Sequence, residues 1–449
     1  MRRSIHYLLW AFVIALLFDG ALRKWFLPGF SDILLLSRVP ITLLIYILAL
    51  QIQLFPRNQF IGATIFLAVV TSATGYFAHG SILALGYGAL TNYFFIPLIF
   101  IFPKIWDWSD VQRVGKFFML LAIPMTVLLG LQFYLPQSAW VNLSVGGTEG
   151  AGFTGGLGRY RPPATFSFIT GTAQFYTLFS AFFLYQFMHR MTLPMPLLVT
   201  CGICLPLAVF GSISRLLALS VVVVFAMALF ALIYSGRRMP SSFRIFAVIA
   251  FSIVIVSQLT FFDDATDAFA ARWESSTGEE SGGVQEAIVM RVVGGLTDPF
   301  IYMGSLPLTG YGLGAGTQAG AQLISGERGF AYAEGEWGRV MAELGPLFGT
   351  LFIALRVALT AYLGKLALRQ VQRGNFLPWL VFAASIMLIM TGQWGQQTSL
   401  GFAILGAGLT LSACRTGKYS PRGIKAAVIN RPTDGAAITS AAANGGSRS

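Results

Sequence analysis

Apolar runs of about 20 residues, the length a helix needs to cross a hydrocarbon core, recur along the chain with short polar breaks between them. They fall near 5–22, 32–53, 60–79, 82–103, 114–135, 167–188, 194–213, 216–235, 243–261, 338–363, 376–393 and 396–413. This predicts about twelve spanning helices. The breaks at Ser212–Arg215 and Gln393–Gln397 are the least distinct. From Phe262 to Trp337 the apolar pattern stops, and acidic residues, glycines and a few arginines take its place. A long ordered loop of this kind is usually functional. The organisation expected is a bundle of about nine spans over 1–261 with an outer loop at 136–166, a large loop over 262–337, further spans over 338–413, and a tail over 414–449.

Composition agrees. Hydrophobic residues make up 55% of the 449 and charged residues 11%, against about 25% charged in soluble domains. The mean hydropathy is +0.70. The fold class is therefore an all-α polytopic membrane protein. The net charge of +12 raises nucleic acid as a partner, but its distribution argues against one. Arg2, Arg3, Arg57, Lys104, Arg113, Lys116, Arg190, Arg237, Arg238, Arg244, Lys365, Arg369 and Arg373 fall in alternate short loops, and the tail adds Arg415, Lys418, Arg422, Lys425 and Arg431. Such loops face the cytoplasm, so both termini are expected there and the 262–337 and 136–166 loops outside. The first apolar run follows MRRSIH and leads into DGALRKWFLP without a small-x-small cleavage site, which reads as a retained span. In that segment Arg23, Lys24 and Trp25 break the charge bias and suit an interfacial anchor. The tail is rich in Ala, Gly, Ser and Thr, a composition expected to be disordered.

The outer side holds arginines that the charge rule does not predict. Arg159 and Arg161 lie in GGLGRYRPPATFSF, Arg215 in GSISRLLAL, Arg272, Arg291 and Arg328 in the long loop, and Arg339 at the start of the next span. Arg272 and Arg328 suit snorkelling interface residues. Arg215 interrupts apolar sequence at a tight turn and Arg291 precedes apolar residues and glycine, which favours a role for both. Guanidinium groups converging near a membrane surface suit an anion held bidentately. The anion at hand is the head group of a lipid-linked substrate, such as a diphosphate.

PLTGYGLGAGTQAG brings closely spaced glycines, which let backbone amides approach a ligand or another helix. It lacks the GK[ST] of a phosphate loop, and a structural turn is an equal reading. Glu334, Glu336 and Glu343 follow. Glu336 and Glu343 are seven residues apart and share one helical face. A carboxylate here suits a general base for a sugar hydroxyl, or a helix N-terminal anion, or both. His6, His79 and His189 form no ligand-spaced cluster, Cys201 and Cys204 suit core packing, and Asp263, Asp264 and Asp267 suit a solvated acidic face, so no metal site is expected. Arg38 and Arg356 lie within spans and suit transport, snorkelling or pairing with an acid.

Taken in order, these segments resemble the O-antigen polymerase and O-antigen ligase superfamily of bacterial envelope glycosyltransferases. SISRLLALSVVV from Ser212 is similar to the family's Ser-Arg at the outer start of a span. Arg291 followed by PLTGYGLGAG is similar to its arginine and Pro-Leu-x-Gly-x-Gly-x-Gly run. AEGEWGRVMAELGPLFG is similar to its His-Asn-x-aromatic…Glu-x-Gly before a span, and RPPATFSF from Arg161 to an outer arginine of the polymerases. The matched region runs from Arg161 to Gly349.

The resemblance implies a GT-C-like enzyme of the bacterial inner membrane, with its site on the periplasmic face. It needs no metal or other cofactor, inverts the anomeric centre, and takes an undecaprenyl-diphosphate-linked glycan as substrate. Arg215 and Arg291 fall on the diphosphate-contacting positions. Arg161, with Arg159, Tyr311 and Arg339, would position the glycan or a second lipid-linked chain. Glu334 stands where the ligases carry a histidine, with Glu336 as the second candidate base. That departure favours a polymerase of exopolysaccharide, capsule or O-antigen repeats over a ligase with a lipid or protein acceptor. A flippase and a chain-length regulator are the implied partners, beside membrane lipid. A transporter or flippase of lipid-linked sugars is the reading of another class.

Overall fold

The computed structural model describes residues 1–149, 157–188, 193–236, 260–274, 294–301, 303–326 and 335–415. Helix dominates them. Helix α1, Arg2–Ala21, runs on through a π turn at Leu22–Phe26. A short α2, Ser31–Leu34, leads into α3, Arg38–Gln51. Helix α4 is Gln59–His79, and α5, Ile82–Ala89, joins α6, Ile96–Ile105, through a second π turn at Leu90–Phe94. The sequence continues through α7, Trp108–Tyr134; α8, Ile169–Met188; α9, Met195–Gly211; and α10, Arg215–Ser235. Then come α11, Thr260–Glu274; α12, Gln318–Ser325; α13, Glu336–Gln372; α14, Leu377–Met390; and α15, Gln397–Ala413.

Among the described residues, seven helical segments are long and apolar enough to cross a membrane: 2–26, 28–51, 59–79, 82–105, 108–134, 215–235 and 336–372. Their outer faces carry large exposed side chains such as Leu43, Leu50, Phe66, Val69, Val222 and Ile233, an apolar surface suited to lipid. The chain is thus a multi-pass, all-α membrane protein.

The count falls below the twelve expected partly because some helices are shorter or carry polar residues inside the bundle. Every residue of α8 except Thr170 is buried, including Thr172, Gln174, Thr177, Ser180 and Gln186. Helix α15 is buried almost throughout. Helix α8 packs on α7, α10 and α14, and α15 on α6 and α14. A helix walled in by other helices can carry polar groups bonded within the bundle. Gln174 donates to Ser399 Oγ at 2.8 Å across α8 and α15. Helices α9 and α14 are apolar but shorter. Residues 243–259 of the ninth expected span lie outside the described residues.

Caps and prolines set several ends. Asp107 and Asp110 form a capping box that starts α7, and Asn58 Oδ1 accepts from the Ile61 amide to start α4. Helix α13 is two helices joined at Gly345–Pro346, where Gly345 takes φ 74°. The glycine is required there, since a Cβ would run into the Gly310 amide and the Leu308 carbonyl.

The connections sort to two ends. One end gathers the start of α1, the α3–α4 and α6–α7 junctions and the end of α15, tied by the Trp108 amide donating to the Arg415 carbonyl at 3.3 Å. The other end gathers the π turn after α1, residues 135–149 and 157–168, the Ser212–Arg215 turn, α11, the glycine run and the start of α13. Gly345→Ala should lower the unfolding temperature in detergent. A positive φ with extended ψ, open essentially to glycine alone, costs about 1–3 kcal/mol for a side-chain residue, and the overlap with Gly310 adds to it. Gly29→Ala, with open space around it, should leave that temperature unchanged.

Candidate functional site

The start of α13 is built around four alternating charges. Glu336, Arg339 and Glu343 lie on one face of its first turns, as their spacing requires. Arg339 donates through Nε and Nη2 to both Glu336 oxygens, at 3.0 and 2.9 Å, and through Nη1 to Glu343 Oε1 at 2.7 Å. Arg356, twenty residues beyond Glu336, completes the set with Nη1 at 2.6 Å from Glu336 Oε1. Its other nitrogens donate to the carbonyls of Ile389 at 3.0 Å and Gly392 at 2.7 Å. Its guanidinium carbon lies 4.0 Å from the Trp394 ring centroid, a desolvated cation–π contact. All four charged groups are buried, and two acids balance two bases. Arg356 therefore pairs with an acid rather than snorkelling.

The glycine run is fastened to this network. The amides of Gly314 and Gly316 donate to Glu343 Oε2 and Oε1, each at 3.1 Å. Tyr311 and Gly312 amides donate to the carbonyls of Ala342 and Glu343 at 2.8 and 3.0 Å. His79 Nδ1 accepts from the Ser81 amide at 3.1 Å, which leaves Nε2 to donate to the Leu313 carbonyl at 3.2 Å. Of the two expectations for the glycines, a ligand or another helix, the backbone here approaches the chain's own Glu343. Asn92, turned inward by the second π turn, accepts from Arg339 Nη2 at 2.9 Å and donates to Glu343 Oε2 at 3.4 Å. Sequence reading passed over Asn92. A lone amide in the apolar stretch TNYFF was its signal.

A second polar layer surrounds the first π turn. Arg23 and Lys24 are buried, so the interfacial anchor expected of them is corrected. A π turn adds one residue to the helical turn and swings both side chains inward. Arg23 donates to the Ser31 carbonyl at 2.7 Å and to Ser167 Oγ at 3.0 Å. Lys24 Nζ donates to the Ala164 carbonyl at 2.6 Å. Gln132 grips the same residue, its Oε1 accepting from the Ala164 amide at 2.7 Å. Ala164 holds φ 51°, a conformation that non-glycine residues keep only when neighbours over-determine it. Arg38 lies 3.8 Å from Asp19 and donates to the Gln397 carbonyl at 2.7 Å. Tyr87 lies within electrostatic reach of Arg339, Arg23 and Arg38, which joins this layer to the α13 network.

The outer arginines form the third layer. Helix α11 settles on the ends of α7 and α9, with Ala265 and Ala268 packed beside Phe133, Ile213 and Phe210. This seating brings Arg159 to Asp264 at 3.2 Å and over the Phe133 and Tyr134 rings. It also brings Arg272 and Arg215 within electrostatic reach of Arg161. Burial, and beside it these two like charges, push the Arg161 guanidinium below the usual arginine range. It stays protonated at any physiological pH. Arg215 opens α10 behind Ser214, whose side chain accepts from the Leu217 amide at 3.3 Å. The turn before it holds Ile213 at φ 50°, an outlier for a β-branched residue. Backbone strain thus sits close to both Arg161 and Arg215.

Of the site residues expected from sequence, Arg161 and Arg215 come together, and Arg272, read as an interface residue, joins them. Arg159 lies beside them in an ion pair. Tyr311 is 37% exposed on the glycine run. Arg339 and Glu336 are placed inside the buried network, their polar atoms committed to each other and to Glu343, Asn92 and Arg356. Glu334, Arg291 and Arg328 lie outside the described residues.

Arg339→Met would leave two buried carboxylates facing each other with one guanidinium between them fewer. Breaking such a set costs on the order of 3–5 kcal/mol, read as a large fall in unfolding temperature. Arg113→Ala, at a side chain 65% exposed, should change it little.

Compared with known protein families, with curated proteins and with solved structures, the chain finds no match.

Proposed function

We propose that the chain polymerises lipid-linked oligosaccharide repeat units at the outer membrane–water boundary, with a polyprenyl diphosphate such as undecaprenyl diphosphate as the leaving group. The observation that carries this reading is that Arg215 and Arg272, the latter on α11, lie within electrostatic reach of Arg161. Like charges held close together lower the cost of receiving a polyanion, and guanidinium groups match diphosphate oxygens bidentately. Arg291 is the fourth contributor, on the strength of the sequence resemblance. The resemblance also supplies the GT-C-like class, the periplasmic orientation and the bacterial inner membrane.

The reaction is a single displacement. An acceptor sugar hydroxyl attacks the anomeric carbon of the donor, and the bond from that carbon to the diphosphate oxygen breaks. The lipid diphosphate leaves with the electron pair and is stabilised by the arginines. The hydroxyl proton passes to a carboxylate, and the anomeric centre inverts. Glu336 has both oxygens committed to guanidinium groups, so the base role falls to Glu334. That residue precedes Gly335, the N-cap of the pinned helix α13. Glu336, Arg339 and Glu343 then act as positioning residues.

One observation favours a second reading, a transporter or flippase of lipid-linked sugars. Asp19 and Arg38 are buried at span depth, and Asp19 Oδ1 and Arg38 Nε have no hydrogen-bond partner among the described residues. Ionisable groups so placed often serve a pathway. Liposomes holding the purified protein and lipid-linked repeats separate the two: chain elongation supports the polymerase, and lipid translocation without elongation supports the transporter.

Arg161→Ala, Arg215→Ala and Arg272→Ala should each lower polymerisation about 100-fold or more, with single lipid-linked repeats accumulating. Polymer of normal length in all three would refute the assignment. Glu334→Gln should abolish elongation while leaving binding of the lipid-linked repeat near its original affinity.

A further inference from the structure

The opposite end of the bundle carries a cavity of about 530 Å³ that the proposed chemistry does not use. It opens where the α3–α4 connection meets the end of α6 and the residue after α15. Arg2, Arg57, Lys104 and Arg415 line it, and among the described residues none that line it is acidic. Leu54 and the buried Phe100 give it an apolar wall. Asn58, the N-cap of α4, also lines it, so the positive end of a 21-residue helix opens there. Arg415 is fixed at the rim by donating to the Pro103 carbonyl and through its own carbonyl, which accepts from Trp108.

We infer that this cavity binds the phosphate head group of an anionic lipid. Four cations converge without an acid among them, and two or more guanidinium groups grip a phosphate bidentately. The volume lies within the range of small-ligand pockets. A lipid suits the site better than a free anion because the neighbouring surface is apolar. Ile47 and Leu50, on the last turns of α3, are 45% and 59% exposed and offer a bed for acyl chains. Basic pockets between spanning helices are a known mode of head-group capture.

The test is thermal unfolding of the detergent-solubilised full chain with three additives: short-chain phosphatidylglycerol, phosphatidylcholine of the same chain length, and sodium phosphate. Phosphatidylglycerol should raise the unfolding temperature by about 3–5 °C, and the other two should not. The double variant Arg57→Gln/Lys104→Gln should lose that rise, while Arg113→Gln, outside the cavity, should keep it. Both altered side chains of the double variant are exposed, so its temperature without additive should match the original. Equal rises from both lipids, or an undiminished rise in the double variant, would overturn the site. An equal rise from sodium phosphate would overturn the lipid as its ligand.

Discussion

Charge neutrality in a dry interior is the constraint on which this structure turns. Arg339 can be buried only because Glu336 lies on one side of it and Glu343 on the other, and Glu336 only because Arg356 shares it. Unpaired, any of these groups would cost several kcal/mol to keep from water. Once paired, they fix geometry as well as charge. Glu343 has oxygen capacity left after Arg339, and the amides of Gly314 and Gly316 take it up. A stretch of irregular backbone at the membrane boundary is thereby given its hydrogen bonds by a side chain, as lipid-depth structure demands. Asn92 and His79 attach the same unit to the helices before it.

The same logic repeats around the first π turn, with backbone carbonyls in place of acids. Lys24 holds the carbonyl of Ala164 and Gln132 its amide, and Arg23 ties Ser31 to Ser167. These contacts fix the segment that begins at Arg161. The strained turn at Ile213 fixes the start of α10 and so Arg215. Helix α11 packs beside Ile213 and adds Arg272. Rigid supports beneath a cluster of like charges are what pre-organised anion binding needs, because the electrostatic cost is met on folding rather than during reaction.

The two ends of the bundle use arginine differently. At one end guanidinium groups are built into strained turns and a docked helix. At the other they ring an open cavity with an apolar wall. A lipid-linked diphosphate and a bulk membrane phosphate would make distinct demands of that kind, the first for orientation and the second for residence.

By itself the sequence determined the membrane class, an excess of arginines where the charge bias predicts few, and the Glu336–Glu343 spacing that puts both carboxylates on one helical face. Each of these rests on local rules: span length, charge bias and helical periodicity. Even the pairing of Arg339 with both glutamates is implicit in the i, i+3 and i, i+4 positions. Only the tertiary structure decided what those residues face. It drew Arg356 to Glu336 from twenty residues away, Asn92 to Glu343, Lys24 to Ala164 and Arg272 to Arg161. It also turned Arg23 and Lys24 inward, against the interfacial place their charge suggested. The physical reason is that burial and pairing belong to the assembled bundle. A π turn, a kink at a glycine or a helix docking on its neighbours changes the surroundings of a side chain without any mark in the hydropathy pattern.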